Sequence, residues 1–392
     1  MREGWRWYGE FDKISLPEIA QTGATEIVTA LHGVPYGDIW QTDAIQSVNA
    51  RIRNAGFNWN VVESLPIHER IKRGDGDLSG LFANYRQSMA NLAAEGIKVI
   101  CYNFMPLVDW TRTDLRSPVK RGGTCLRFSI EKIAALDVYM IEREGAEADF
   151  TPETLRDAKR WFDASTTAER DALIHAVMCG LPGAYDRYDA ANLKQALAGY
   201  EGIGRSEIRD NYKRFLDEVI PAAEELGLRF GVHPDDPPRD IFGLPRIVSN
   251  ADDIDWVLNA HKSPANGLTF CAGSLGANPS NDLPSIAQRF ADKIHFIHLR
   301  NVTKEPNGSF EEAAHLDGDT DMPALVSVLL KEEKRRQTSG RDDHQMVFRP
   351  DHGHELLDDE SKQTHPGYPL VGRMKGLAEI RGLIDGLKHN MA

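Results

Sequence analysis

Four side chains that make good metal donors stand at the ends of four short apolar runs. They are His233 in GVHPDDPP, Cys271 in FCAGS, His298 in FIHLRN and Asp351 in RPDHGH. Two imidazoles, a thiolate and a carboxylate make a donor set for a divalent transition ion, because calcium and magnesium take oxygen ligands. Each residue alone has an ordinary explanation: a lone cysteine behaves as a small buried hydrophobe, and most single histidines pack in a core. Their shared position is what sets them apart. In a barrel of parallel strands the C-terminal ends converge on one face, so donors distant in sequence meet in space.

Strand alternation sorts the neighbours. His295 and His298 are three residues apart and face opposite sides of one strand, so an inward His298 sends His295 toward the helix layer as a structural residue. The same parity turns Arg300 inward with His298, and Arg349 inward with Asp351. An inward arginine beside a metal can grip a substrate carboxylate bidentately, or it can pair with the site's own acids; both readings stay open here. His315 and Asp317, in the loop after the seventh run, are reserve candidates for proton donation. Asp317, Asp319 and Asp321 resemble the start of a calcium loop but lack its glycine and closing glutamate. No GxGxxG, Walker-type loop or GxSxG follows a strand, so neither a nucleotide cofactor nor a serine nucleophile is supported.

Eight runs rich in β-branched and aromatic residues must position these groups: 4–9, 26–31, 58–63, 98–104, 228–234, 268–273, 294–301 and 345–351. Amphipathic stretches lie between most of them. The clearest is 206–226, where Ile208, Tyr212, Phe215, Val219 and Ala223 recur at helical spacing, with Ser206 as N-cap and Gly227 as stop. Stretches 321–336 and 373–388 are similar. Strand–helix units repeated about eight times predict an α/β fold, a (β/α)8 TIM barrel, although an open doubly wound sheet gives the same alternation. From Phe104 to Leu228 the chain exceeds one such unit. Thr151-Pro152 and Thr166-x-x-Glu169 read as helix starts there, so a largely helical insertion at about 108–204, between the fourth and fifth strands, is expected within a single domain spanning 1–392.

Composition narrows the partners. Acidic residues outnumber basic ones 59 to 46 in 392 residues, a net charge of −13, which opposes binding to nucleic acid or an anionic membrane. No apolar run approaches the roughly 20 residues that cross a bilayer. Four scattered cysteines suit neither a disulfide framework nor a CxxC zinc site. A cytoplasmic protein with reduced thiols is expected.

GWRWYG, IVTALHGVP with Trp40 behind it, HPDDPP, FCAGS, HLRN with AAHLDGD, and RPDHGH with HPGYPLVGR together resemble the mannonate dehydratase family, across nearly the whole chain. The resemblance implies a barrel related to the xylose isomerases and a hydro-lyase that converts D-mannonate to 2-keto-3-deoxy-D-gluconate in hexuronate breakdown. It implies Mn²⁺ or Fe²⁺ held by His233, Cys271, His298 and Asp351, and proton transfer by His352 and Tyr368. Ligand softness alone would favour zinc or ferrous iron, and predicts that zinc binds and inhibits. Enzymes of this kind are commonly homo-oligomers, so a dimer or larger is expected. The alternatives are a metal-dependent sugar isomerase or epimerase on the same barrel, a barrel endonuclease, which the charge opposes, and a non-catalytic sugar-acid binding protein.

Overall fold

The computed structural model describes residues 1–180 and 189–391. Its strands, in chain order, begin with β1 (Arg2–Arg6), β2 (Glu26–Thr29), β3 (Asn58–Glu63), β4 (Val99–Tyr102), β5 (Asp114–Pro118) and β6 (Thr124–Phe128). They continue with β7 (Arg229–Val232), β8 (Asn266–Cys271), β9 (Ile294–His298), β10 (Val302–Lys304), β11 (Phe310–Glu312) and β12 (Val347–Arg349). Eight of them close a parallel barrel in the order β1-β12-β9-β8-β7-β4-β3-β2. Each run marked in the sequence contributes one strand, and closure excludes the open sheet.

Alternation along the strands makes two apolar layers. Val28, Val61, Cys101, Phe296 and Val347 pack together inside the barrel. Their neighbours Ile27, Val62, Ile100, Ile297 and Phe348 join the larger core beneath the helices. Two residues further along the inward parity come Glu63, His298 and Arg349, all buried. An apolar plug therefore fills the barrel, and a charged layer lies on it at the C-terminal end. Strands β7 and β8 approach closely because Gly231 has no side chain: a Cβ there would sit 2.7 Å from Thr269 Oγ1 and 3.1 Å from Thr269 N. His295 faces the other way, buried near Arg336 and Arg229, with burial depressing its pKa well below the ordinary value.

The helix expected at 206–226 is Arg205–Glu225, and its N-cap is Gly204 instead of Ser206. The Glu207 carboxylate accepts the Gly204 N–H at 3.0 Å, which starts the helix earlier; Gly227, at φ +65°, ends it as expected. The other two expected helices run Met322–Thr338 and Leu370–Met391.

The long connection between β4 and β7 is not helical throughout. It opens with the antiparallel pair β5–β6, which joins β11 and β10 in a four-stranded sheet of order β10-β11-β6-β5. Asp114–Pro118 is polar and short, and only pairing with distant β11 through β6 makes this hairpin worth forming, so local pattern does not reveal it. Helices Ile130–Ala135, Pro152–Ala164, Thr167–Val177 and Ala190–Ala198 follow. Thr151 Oγ1 accepts the Thr154 N–H at 3.1 Å, and Thr166 and Glu169 form the expected capping box. Positions 181–188 of the expected insertion lie outside the described residues.

Candidate metal centre

His233 follows β7, Cys271 ends β8, His298 ends β9 and Asp351 lies two residues beyond β12. One ligand atom from each of His233, Cys271 and His298 falls within 4.8 Å of the others. His233 Nε2 is 3.2 Å from His298 Nδ1. Asp351 Oδ2 is 3.7 Å from Cys271 Sγ and 3.9 Å from His298 Nδ1. Donors sharing one ion at bond lengths of about 2.0–2.3 Å stand roughly 3–4 Å apart, so this cluster fits a divalent transition ion. The four residues selected by strand-end position converge.

Each donor is aimed by a second contact. His233 Nδ1 donates to the Pro234 carbonyl at 2.7 Å, which turns Nε2 to the cluster. His298 Nε2 faces Glu63 Oε2 at 3.5 Å, leaving Nδ1 for the cluster. Cys271 Sγ accepts from Ser274 Oγ at 3.1 Å and Ser274 N at 3.5 Å, which fixes its position at the start of the following turn. Asp351 sits at φ +65°, in the left-handed region that side-chain-bearing residues rarely adopt. The turn is held by His315, whose Nε2 donates to the Pro350 carbonyl at 2.7 Å. His315 therefore serves as a brace for the ligand loop.

Around the donors lies a buried lattice of alternating charge. Arg349 binds Glu63 through Nε (2.9 Å) and Nη2 (2.6 Å) and Asp351 through Nη1; Arg6 reaches Glu63 at 3.1 Å. Arg300 meets Asp236 at 2.8 Å, Glu312 at 3.3 Å and Asp351 at 3.3 Å. Arg112, wholly buried, clamps Asp236 at 2.7 Å and Glu312 at 2.9 Å. Burial alone would raise these carboxyl pKa values, but the arginines outweigh it. Arg349 and Arg6 hold Glu63 well below the usual carboxylate range, and Arg112 and Arg300 do the same for Asp236. Arg349 and His352 hold Asp351 low, and Arg300 with His352 takes Glu312 down to about 2. Of the two readings left open for Arg300 and Arg349, the ion-pair reading is the one the geometry displays.

His352 follows Asp351 and is buried. Its Nδ1 lies 3.0 Å from Glu312 Oε1 and 3.1 Å from Arg300 Nη1. Nδ1 thus stands between a carboxylate that can only accept and a guanidinium that can only donate. The Tyr368 ring meets the His352 ring edge-on at 4.9 Å and the Tyr8 ring at 5.0 Å. Burial raises the Tyr368 pKa to about 12, against the pull of Arg349. His233, Arg300, Arg349, Asp351, His352 and Tyr368 all line one cavity.

Sequence reasoning missed Arg6, Glu63, Arg112, Asp236 and Glu312. The strand-end rule would have found Glu63, a carboxylate closing the apolar run NWNVVE, and Arg6 in GWRWYG. Asp236 was visible inside HPDDPP. Arg112 and Glu312 carry no local signal, since the extra sheet and its connections deliver them.

Residues 1–392 match the D-mannonate dehydratase (UxuA) family. The chain is similar to the mannonate dehydratase of Chromohalobacter salexigens, with 51% identity over 391 residues covering 99% of each chain. It is similar to the crystal structure of mannonate dehydratase from Streptococcus suis serotype 2, at 32% identity and TM-score 0.77, covering 100% of this chain and 94% of that one. A D-tagatose 3-epimerase-like protein, at 11% identity and TM-score 0.53, shares the fold alone.

Proposed function

We infer that this protein is a hydro-lyase that dehydrates D-mannonate, from the premise that the chain belongs to the D-mannonate dehydratase family. The observation that carries the reading is one cavity lined by His233, Asp351, His352 and Tyr368, with Cys271 and His298 clustered against His233 and Asp351. The isomerase and epimerase alternative rests on fold alone and is not favoured.

The four donors would hold the ion, and Mn²⁺ or Fe²⁺ is our proposal for it. When bound, the divalent ion supplies Lewis acidity that stabilises the negative charge developing as the substrate loses its C2 proton. The remaining work falls to side chains. The C2 proton is weakly acidic because the adjacent carboxylate already carries charge. His352, positioned by Glu312 and Arg300, is the base we propose to remove it. Tyr368, which burial keeps protonated, donates to the C3 hydroxyl so that it leaves as water. The resulting enol tautomerises to 2-keto-3-deoxy-D-gluconate. Arg349 is committed to Glu63 and Asp351. Arg300 is likewise paired, with Asp236, Glu312 and Asp351, and since both arginines line the cavity either is proposed to meet the substrate carboxylate alongside its own acids.

A single domain, a homo-oligomeric state of two or more chains and a cytoplasmic location complete the proposal. No helix among the described residues is long and apolar enough to cross a membrane. Light scattering tests the oligomer. The deciding assay for function incubates metal-loaded protein with D-mannonate and follows 2-keto acid formation. No keto acid with Mn²⁺ or Fe²⁺ supplied would overturn the assignment.

A further inference from the structure

The reacting carbons of a six-carbon acyclic acid are C1 to C3, and the cavity lined by His352 and Tyr368 holds groups that act on them. The hydroxylated remainder must leave in one direction. A second cavity, about 650 Å³ counted out to its mouth, opens beside the first between the ends of β2, β3 and β4, and Ser64, Asn103 and Asp109 line both.

Two buried polar atoms have no hydrogen-bond partner among the described residues: Oδ1 of Asn103, which lines both cavities, and Nε2 of His32, which lines the second. The amide orientation of Asn103 follows from chemistry. Its Nδ2 donates to Asp109 Oδ2 at 2.8 Å, which a carboxylate requires, so the unpaired atom is the oxygen acceptor. His32 lines the second cavity, and burial, then the charge of Arg6, depresses its pKa well below the ordinary histidine value. Its ring is neutral and can exchange a hydrogen bond with a hydroxyl. The charges deeper in this cavity cancel: Lys72 Nζ donates to Glu69 Oε1 at 2.5 Å and to the Met105 carbonyl at 2.8 Å. Neutral acceptors, a balanced ion pair and the Asp109 carboxylate suit an uncharged polyol and oppose a second anion. Buried polar groups are nearly always paired in folded proteins, and these two unpaired atoms belong to side chains that line a cavity next to the reaction centre.

We propose that this second cavity binds the hydroxylated tail of the sugar acid, with Asn103 Oδ1 and His32 Nε2 hydrogen-bonding hydroxyls beyond C4, and that it sets specificity for chain length. The inference rests on the dehydratase reading above. Both residues are specificity determinants, outside the metal shell and the proton-transfer pair.

The test compares D-mannonate with the four-carbon aldonic acid of the same C2 and C3 configuration, which lacks C5 and C6. Asn103→Ala and His32→Phe are assayed separately, after metal content and thermal midpoint show each variant folded and loaded; either alone suffices if the other fails to fold. Each variant should lower kcat/KM for D-mannonate roughly tenfold, mostly through KM, the size of one lost hydrogen bond at a buried site. The inhibition constant of the four-carbon acid should stay within about twofold of wild type, a margin well below one such bond. Equal losses for both acids, or unchanged D-mannonate kinetics, overturn the proposal. A wild-type enzyme inert toward D-mannonate removes the underlying function, and this inference with it.

Discussion

Glu63 Oε2 lies 3.5 Å from His298 Nε2, across the barrel from β3 to β9. The carboxylate is fixed by Arg349 and Arg6, so the imidazole is held with Nδ1 toward Cys271 and Asp351. Glu63→Gln keeps the shape but removes the charge that orients the ring. Metal affinity should fall roughly 10–100-fold, the usual cost of losing such a partner. Equilibrium dialysis measures it, and an unchanged affinity would show that the ring is held by packing alone.

Cys271→Ser exchanges a thiolate for a weak neutral donor. Metal content and turnover should both collapse, as elemental analysis of the purified variant will show. Full occupancy with full turnover would make Cys271 an ordinary core residue.

His352→Asn and Tyr368→Phe should keep the metal and lose roughly 10²–10⁴ in turnover. The Tyr368 phenol stays protonated until about pH 12. An alkaline limb of the wild-type rate profile below pH 10 therefore belongs to another group, and Tyr368→Phe should leave such a limb in place. Near wild-type rates in both variants would defeat the assignment.

Acid should unfold the protein through the same lattice. Glu312, about 2 in the folded state against 4.5 ordinarily, contributes stability that is complete above about pH 4.5 and is lost as pH falls toward 2. Glu63, Asp236 and Asp351 shift in the same direction. Asp235 opposes them: burial raises it to about 6, so its contribution favours folding at low pH and is lost as pH rises from 3.8 to about 6. The thermal midpoint should hold from pH 7 to about 5 and drop steeply below 4.5. A midpoint flat to pH 3 would show that the buried ion pairs are not linked to folding.

Zinc should displace the working ion because imidazole and thiolate donors favour it. Activity after chelation should return with Mn²⁺ or Fe²⁺ and fall when Zn²⁺ is added. Equal activity with zinc would contradict the proposed metal.

The eight strands were legible in the chain itself because each is a short β-branched run, and alternation needs only local sequence to say which side chains share a face. His233, Cys271, His298 and Asp351 were legible for the same reason, since the ends of parallel strands meet wherever a barrel closes. Closure was a matter for tertiary structure: a doubly wound sheet reads identically until β1 pairs with both β12 and β2. So was the setting of His352. Glu312 reaches it from β11, and Arg112, just before β5, clamps Glu312; the sheet of β5, β6, β10 and β11 is built by pairings that span nearly 200 residues and leave no periodic trace. The roles of Arg300 and Arg349 were likewise undecidable from parity. Parity tells which way a side chain points, whereas its charge partners depend on which other strands and loops bring carboxylates to the same point.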